Sequence, residues 1–392
     1  MIKSILCPIC LNSSFESLID FSLVPRSGTY LYDQEQKPKM IHLSFEFCSN
    51  CALIRRRVFN DETYDYTYNN RVTAHQLPSY IDLILDSMHQ YRDYCDNLII
   101  DCGANDGTFL SALRQAGFSN LLGIEPSLYC ADKCRSKGHD VVNKHLDYAE
   151  SQQICKQFGQ ARVIICRHVL EHVQNPFDFL LAIRTLLKKD GILFIEVPNA
   201  HAITQKLFGH ELWDEHLHSF TPENLSLLMH NAGFQVVETL VKPHLNTSNI
   251  LQWCNSNIAN NVPKTTSMAM YSDVKLCRNF TDRWKSLCRQ ILDDLPNWPR
   301  PIISLGASHP QSNFLIFTGL GHQIDLIVDD DVTKIGLYLP VPNNVPIISS
   351  VQFLKNIIPC TVVRTAFGYD DWMNRLAAPV IDAGVRIITP YE

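Results

Sequence analysis

Three groups of residues in this chain have the type and spacing to do chemistry. The first lies in Leu98-Ile-Ile-Asp-Cys-Gly-Ala-Asn-Asp-Gly-Thr-Phe-Leu110, where Asp101, Gly103, Asn105 and Gly107 form an acid-x-Gly-x-Asn-x-Gly pattern. Its glycines permit a sharp turn and a close backbone approach to a ligand, where a Cβ would clash. The spacing is not the G-x-G-x-x-G that seats a pyrophosphate on a helix N-terminus. Glu125 ends the next apolar stretch, Leu121-Leu-Gly-Ile124, about 18 residues past Gly107. A carboxylate there can accept both hydroxyls of a ribose diol; a surface acid is the plainer alternative. The second group is two Cys-x-x-Cys pairs, Cys7-Pro-Ile-Cys10 and Cys48-Ser-Asn-Cys51. Each pair aims two thiolates at one point, and together they make the ligand set of a tetrahedral zinc. With every position filled by cysteine none is open for catalysis, so the metal is structural. Four unligated thiols are the alternative, weakened by how much so small a module needs a staple. The third group is histidine, 15 in all. His210, His216 and His218 alternate along one segment, a spacing that seldom converges on a metal without further ligands. His168 and His172 stand four apart and can share one helical face.

These residues need a frame. The 392 residues suffice for two or three domains, each with its own core. A formal charge of −6 speaks against a general nucleic-acid-binding surface, and the one basic cluster, Arg55-Arg-Arg57, is too short to reverse that. No apolar run approaches the ~18 residues of a membrane span, and Met1-Ile-Lys-Ser-Ile-Leu-Cys7 has no signal-peptide pattern. Most of the 14 cysteines stand singly in apolar stretches (Cys102, Cys166, Cys254, Cys277), as reduced buried thiols do, which predicts a cytoplasmic location.

From residue 80 to about 255 the chain alternates as a doubly wound α/β domain does. Strands are predicted at Leu98–Ile100, Leu121–Ile124, Val141–Val142, Val163–Ile165, Ile192–Val197, Phe234–Thr239 and Asn249–Cys254. A helix is predicted over Pro176–Lys188, ended by Lys-Lys-Asp-Gly, and another from the Thr221 N-cap with Pro222 at its first position. Met270, Val274, Cys277, Phe280, Trp284, Leu287, Ile291 and Leu295 recur at three- and four-residue steps, one stripe of a long amphipathic helix. Pro296-Asn-Trp-Pro-Arg-Pro301 breaks it, and Ile302-Ile-Ser-Leu-Gly-Ala-Ser308 opens a smaller α/β unit with strands at 324–328 and 347–348.

In combination these residues resemble a known family, the three-domain sugar-nucleotide C-methyltransferases of deoxysugar pathways. The resemblance covers nearly the whole chain. It rests on the two Cys-x-x-Cys pairs, on Asp101–Leu110, on Arg167-His-Val-Leu-Glu-His-Val173, on Glu196-Val-Pro198 and on Asp214-Glu-His-Leu217. In the C-terminal part Gly306-Ala307, Val328-Asp-Asp-Asp331, Lys334-Ile-Gly336 and Leu339-Pro340 extend it. It implies an α/β fold: a class I methyltransferase (Rossmann-like) domain, an N-terminal zinc module and a smaller C-terminal Rossmann-like domain. The implied division is a zinc module at 1–60, a methyltransferase domain at 61–265, a linking helix at 266–298 and a substrate domain at 299–392.

The acid-x-Gly-x-Asn-x-Gly loop resembles the one by which class I methyltransferases hold S-adenosylmethionine. Asp101, Gly103, Asn105, Gly107 and Glu125 are therefore the implied cofactor set, with Arg167 and His168 beside them; packing or pairing is the alternative for those two. The implied chemistry removes a proton from carbon beside a ketone, and the enolate attacks the sulfonium methyl. His216 is the implied base and Glu215 its orienting carboxylate. His172 would stand near the developing oxyanion, with Tyr66 or Tyr68 as a phenol donor to it. The alternative for Glu215 and His216 is a loop acid and histidine capping the helix after Thr221.

Two positions depart from the family pattern. Trp213 stands where a tyrosine is usual, and Ser308-His-Pro-Gln311 lacks the lysine expected near a substrate's phosphates, though His309 could substitute. The expected partner is a small molecule, a sugar or sugar nucleotide, with no nucleic acid and no membrane; the oligomeric state is left open. Competing readings are O- or N-methylation of a sugar or other metabolite, and a non-catalytic binding protein.

Overall fold

The computed structural model describes residues 6–57, 81–89, 97–244, 247–256, 266–365, 370–381 and 385–389. Tyr66 and Tyr68 lie outside them. Three sheets organise the chain. The first begins with β1 (Phe15–Pro25), β2 (Met40–Cys48) and β3 (Ile54–Arg56), paired antiparallel. Leu43, Phe45 and Phe47, at two-residue steps on β2, are all buried, as the period of a strand with one face in a core requires.

The central part runs α1 (Ile81–His89), β4 (Ile99–Cys102), α2 (Thr108–Gln115), β5 (Leu121–Ile124), α3 (Leu128–Ser136), β6 (Asp140–Val142), α4 (Tyr148–Phe158), β7 (Ala161–Arg167), α5 (Pro176–Leu186) and β8 (Leu187–Pro198). After α6 (His201–Thr204), β9 (His218–Ser219) leaves to become the fourth strand of the first sheet, pairing Ile54 with Ser219 and Arg55 with His218. Then α7 (Pro222–Asn231) starts from Thr221, whose side chain and that of Asn224 form a reciprocal cap, as the sequence predicted for its N-terminus. The hairpin β10 (Gln235–His244) and β11 (Thr247–Asn255) completes a seven-stranded sheet of order β10-β11-β8-β7-β4-β5-β6. Its strands β4 to β8 are parallel, while β11 lies antiparallel to β8. The strand order reverses at β4 and β7, the crevice where open α/β sheets bind ligands beyond the carboxyl ends of their strands.

One expectation is corrected here. The helix from Pro176 stops at Leu186, and Lys188-Lys-Asp-Gly191 belongs to β8. The register against β7 jumps there, Ala161 facing Leu187 and Val163 facing Ile192, so the polar residues bulge outward. Ladder pairing outweighs the helical propensity of two lysines.

The helix α8 (Thr266–Asp294) buries Met270, Val274, Cys277, Phe280, Trp284 and Ile291, and part of that stripe packs on the first sheet's Phe45 and Phe47. Beyond it come β12 (Ile302–Leu305), α9 (His309–Thr318), β13 (Leu326–Val328), β14 (Tyr338–Leu339), β15 (Val345–Ile348), α10 (Ser350–Lys355), β16 (Thr361–Arg364), α11 (Asp370–Ile381) and β17 (Arg386–Ile388). They make a third sheet of order β14-β15-β13-β12-β16-β17, parallel except for β14. No helix among the described residues is long and apolar enough to cross a membrane.

Candidate active site

A cavity of about 1110 Å³ opens at the carboxyl ends of β4, β5 and β7, lined among others by Gly103, Asn105, Glu125, His168, His172 and Glu215. The glycine turn after β4 builds one wall. Gly103 has φ 82° and Asn105 φ 49°, left-handed backbone that glycine and asparagine adopt most cheaply. The amides of Asn105 and Ser127 donate to the two oxygens of Glu125, at 2.9 and 2.8 Å. A carboxylate has about four acceptor sites, so two remain for hydroxyls of a ligand. Burial raises the pKa of Glu125, against the lowering effect of those two amides.

Other members of the implied cofactor set serve as frame. Gly107 does not line the cavity. A Cβ on it would fall 2.6 Å from Cys134 Sγ, so its glycine is demanded by packing under α3 and by a φ of 77°. Asp101 is buried on β4, and that burial pushes its carboxyl up to about 7, against the pull of Arg167. Arg167 shows the pairing that was its alternative reading: its Nε donates to Glu196 Oε2 at 2.5 Å and its guanidinium lies 4.8 Å over the Phe109 ring. It pairs inside the sheet edge and is absent from the cavity wall. His168 does line the cavity, with its ring nitrogens 3.3 Å from Glu171 and from Glu196. Burial opposes its charge, but hydrogen bonds to the two carboxylates prevail and push its pKa up to about 9.

The proposed acid–base residues come together from two segments 43 residues apart in sequence. His172 sits in the turn after β7 and His216 in the loop before β9; their rings are 5.0 Å apart. The Glu215 backbone carbonyl meets His172 Nδ1 at 2.7 Å. That bond places the Nδ1 proton and leaves Nε2 as the acceptor. His216 is buried and is not part of the cavity wall. Burial, with the charges of His172, His168 and His309, holds its imidazole well below the ordinary range.

Further residues surround this site, and among them Glu171 was not singled out from sequence. Glu171, 1% exposed, lies with its Oε1 4.0 Å from His172 Nε2. Asp214 accepts from the Ser27 amide at 3.2 Å and pairs with Arg26 at 3.5 Å, tying the His216 loop to the first sheet. Trp213 packs between His216 and His309, with ring centroids at 4.5 and 5.0 Å, so the third sheet's α9 closes on the same loop. His309 is pushed down to about 4 by burial, against Asp214, and is therefore neutral at pH 7. Gln311 is buried at 2% exposure. His210 and His218 are both buried beside other rings, Phe208 and Phe314 for His210 and Phe220 for His218, and neither joins a metal-capable group among the described residues.

At the far end of the first sheet Cys7, Cys10, Cys48 and Cys51 bring their sulfurs within 4.8 Å of one another, the Cys7–Cys51 and Cys10–Cys48 pairs at 3.5 Å. Metal–sulfur bonds of about 2.3 Å in a tetrahedron separate sulfurs by about 3.8 Å, so the donor set fits such an ion. Hydrogen bonds with Cys10, Cys48 and Cys7, and then burial, push the Cys51 thiol far above its usual range. Thiols this crowded shed their protons when a cation takes up the charge.

Residues 73–239 match the family model for a methyltransferase domain. Over 98% of its length the chain is 23% identical to the C-methyltransferase NovU of Streptomyces niveus, of which it covers 94%. It is 33% identical over 165 residues to the ubiquinone biosynthesis O-methyltransferase of Glaesserella parasuis, a likeness spanning 40% of this chain and 62% of that protein. Among solved structures, a SAM-dependent methyltransferase from Anabaena variabilis aligns at 16% identity and a TM-score of 0.37, covering 47% of this chain and 90% of the other.

Proposed function

Because this chain is an S-adenosylmethionine-dependent methyltransferase of the class I fold, we propose that it methylates a carbon beside a ketone on a sugar acceptor, free or nucleotide-linked, in deoxysugar biosynthesis. One observation carries this reading. The likeness to a C-methyltransferase runs the length of the chain, including the two outer sheets that close on the His216 loop. The likeness to the Glaesserella parasuis O-methyltransferase covers only 40% of the chain, which makes oxygen methylation the second reading.

When bound, S-adenosylmethionine supplies an electrophilic methyl group on a sulfonium. Glu125, with two acceptor sites to spare, holds its ribose hydroxyls, and Ile124 and Leu146 on the same wall offer apolar cover for a purine. Gly103 and Asn105 shape the turn that this approach needs, while Asp101, Gly107 and Arg167 keep the turn in place. His172 takes the proton from the acceptor carbon at Nε2, since Nδ1 is committed to the Glu215 carbonyl. Glu171, 4.0 Å from Nε2, favours the imidazolium that forms. His216, kept neutral, backs the His172 ring from 5.0 Å, and a phenol from Tyr66 or Tyr68 donates to the oxygen that becomes the enolate. The base role thus falls to His172, where the sequence reading had given it to His216. Zinc on the four cysteines holds the first sheet's end and takes no part in the reaction. The free thiols throughout the described residues suit a reducing, cytoplasmic setting.

The test is isotope exchange in deuterium oxide with a keto-sugar acceptor and no methyl donor. Wash-in of deuterium at one carbon, catalysed by the protein and lost in His172→Gln, supports carbon methylation. Methyl transfer to the same acceptor without such exchange points to an oxygen or nitrogen acceptor.

A further inference from the structure

A second constellation lies away from the cavity and from the cysteines. His201 opens α6, Glu223 sits in the first turn of α7, and Asp273 lies on α8. One donor atom from each falls within 4.8 Å of the others. We propose that these three side chains bind a divalent first-row transition-metal ion, such as Zn2+, that clamps α8 onto α6 and α7.

The ion pair already present does not account for the groups gathered here. His201 Nε2 meets Asp273 Oδ1 at 3.0 Å. Asp273 is nevertheless 6% exposed, and its Oδ2 is buried with no hydrogen-bond partner among the described residues. Glu223 Oε2 is buried and unpartnered in the same way. Two carboxylates thus face one imidazole, and even a protonated His201 leaves one negative charge over. A buried charge without a partner is costly, and a cation at this point resolves it.

The chemistry of the donors selects the ion. One imidazole and two carboxylates, with no sulfur, suit zinc, manganese or iron, and waters fill the remaining positions. Bonds of about 2.0–2.2 Å place ligand atoms about 3–3.5 Å apart, a spacing the His201–Asp273 pair already has. On binding, the Nε2 proton of His201 leaves to solvent and the nitrogen lone pair takes the metal. This ion would anchor the helix that leads from the central sheet into the third sheet, a role independent of methyl transfer.

Calorimetric titration with Zn2+ alone tests this on full-length protein whose cysteine cluster is already loaded. One further equivalent is expected, with a metal-dependent rise in unfolding temperature. Asp273→Asn and Glu223→Gln should each abolish both the uptake and the rise, while His172→Gln keeps them. If one variant does not fold, the other and the wild-type titration decide. Wild type that takes up no further zinc overturns the site. So does uptake that survives in a folded Asp273→Asn or Glu223→Gln, or that vanishes only in His172→Gln, which would move the ion to Glu171, His172 and His216.

Discussion

An imidazole works as a base when one nitrogen is unprotonated and faces the substrate, and the two histidines here differ in both respects. His172 reaches the cavity wall with its tautomer set by the Glu215 carbonyl at 2.7 Å. His216 is 8% exposed, behind Trp213 and His172. His172→Gln is therefore expected to lower turnover by ~10²–10⁴-fold, the usual cost of removing a general base. His216→Asn, which loosens the packing behind the His172 ring, should cost less and should keep the proton exchange. Single-turnover rates beside calorimetric S-adenosylmethionine affinity check this, the affinity remaining near wild type in both variants. A His172→Gln enzyme that still exchanges the acceptor proton would return the base role to His216. Sequence named both histidines, and their rings do lie 5.0 Å apart; the proposed move of the base from His216 to His172 rests on which of them lines the cavity. Side-chain identities pointed to the Glu215 carboxylate on His216, whereas the contact of Glu215 with His172 runs through a backbone carbonyl that every residue type possesses.

At the scale of elements, the cysteine cluster and the active loop are joined by one short strand. Cys48 ends β2, Cys51 lies in the turn to β3, and β3 pairs with β9, two residues beyond His216. The Arg56 amide also donates to the Leu217 carbonyl at 3.0 Å. With zinc on the four cysteines as proposed, Cys48→Ser should lose the metal, lower the unfolding temperature and reduce turnover, because the metal's binding energy is also folding energy. Metal analysis beside thermal unfolding measures it; a folded Cys48→Ser protein with full activity and no metal would deny the cluster its structural part. The Cys-x-x-Cys turns, the glycine loop and the strands around it were legible because each is written in local spacing and turn chemistry. The strand β9 was not, since two residues carry no periodicity and their pairing comes from a partner some 160 positions earlier. Lys188–Gly191 misled for the same reason, its conformation being set by β7 and not by its own propensity.

For the molecule as a whole, the loop that lends Glu215 to the cavity wall is where three sheets meet. Asp214 is held by Arg26 and the Ser27 amide of the first sheet, and Trp213 rests on His309 of α9. Ser27 in turn donates to Asn313 at 3.3 Å, so the outer units also touch each other. Gly28 completes the contact, since a Cβ there would come within 2.3 Å of His309 Nε2. Sequence named Asp214 and His309 but not these contacts, because Arg26, Asp214 and His309 are far apart in the chain. The contacts have the consequence that Asp214→Ala should act on rate without touching the cofactor. Releasing the loop shifts Trp213 and His216 relative to the cavity, and a displacement of about 1 Å can cost ~10²-fold in rate. S-adenosylmethionine affinity should stay near wild type, because Glu125 and the glycine turn lie on the other wall. Stability should fall by about 1–3 kcal/mol as buried donors lose their acceptor. Single-turnover rates, calorimetry and denaturant unfolding on the same preparation separate these effects. Undiminished turnover in Asp214→Ala would show that the His216 loop holds its place without the first sheet, and that the outer units contribute binding surface alone.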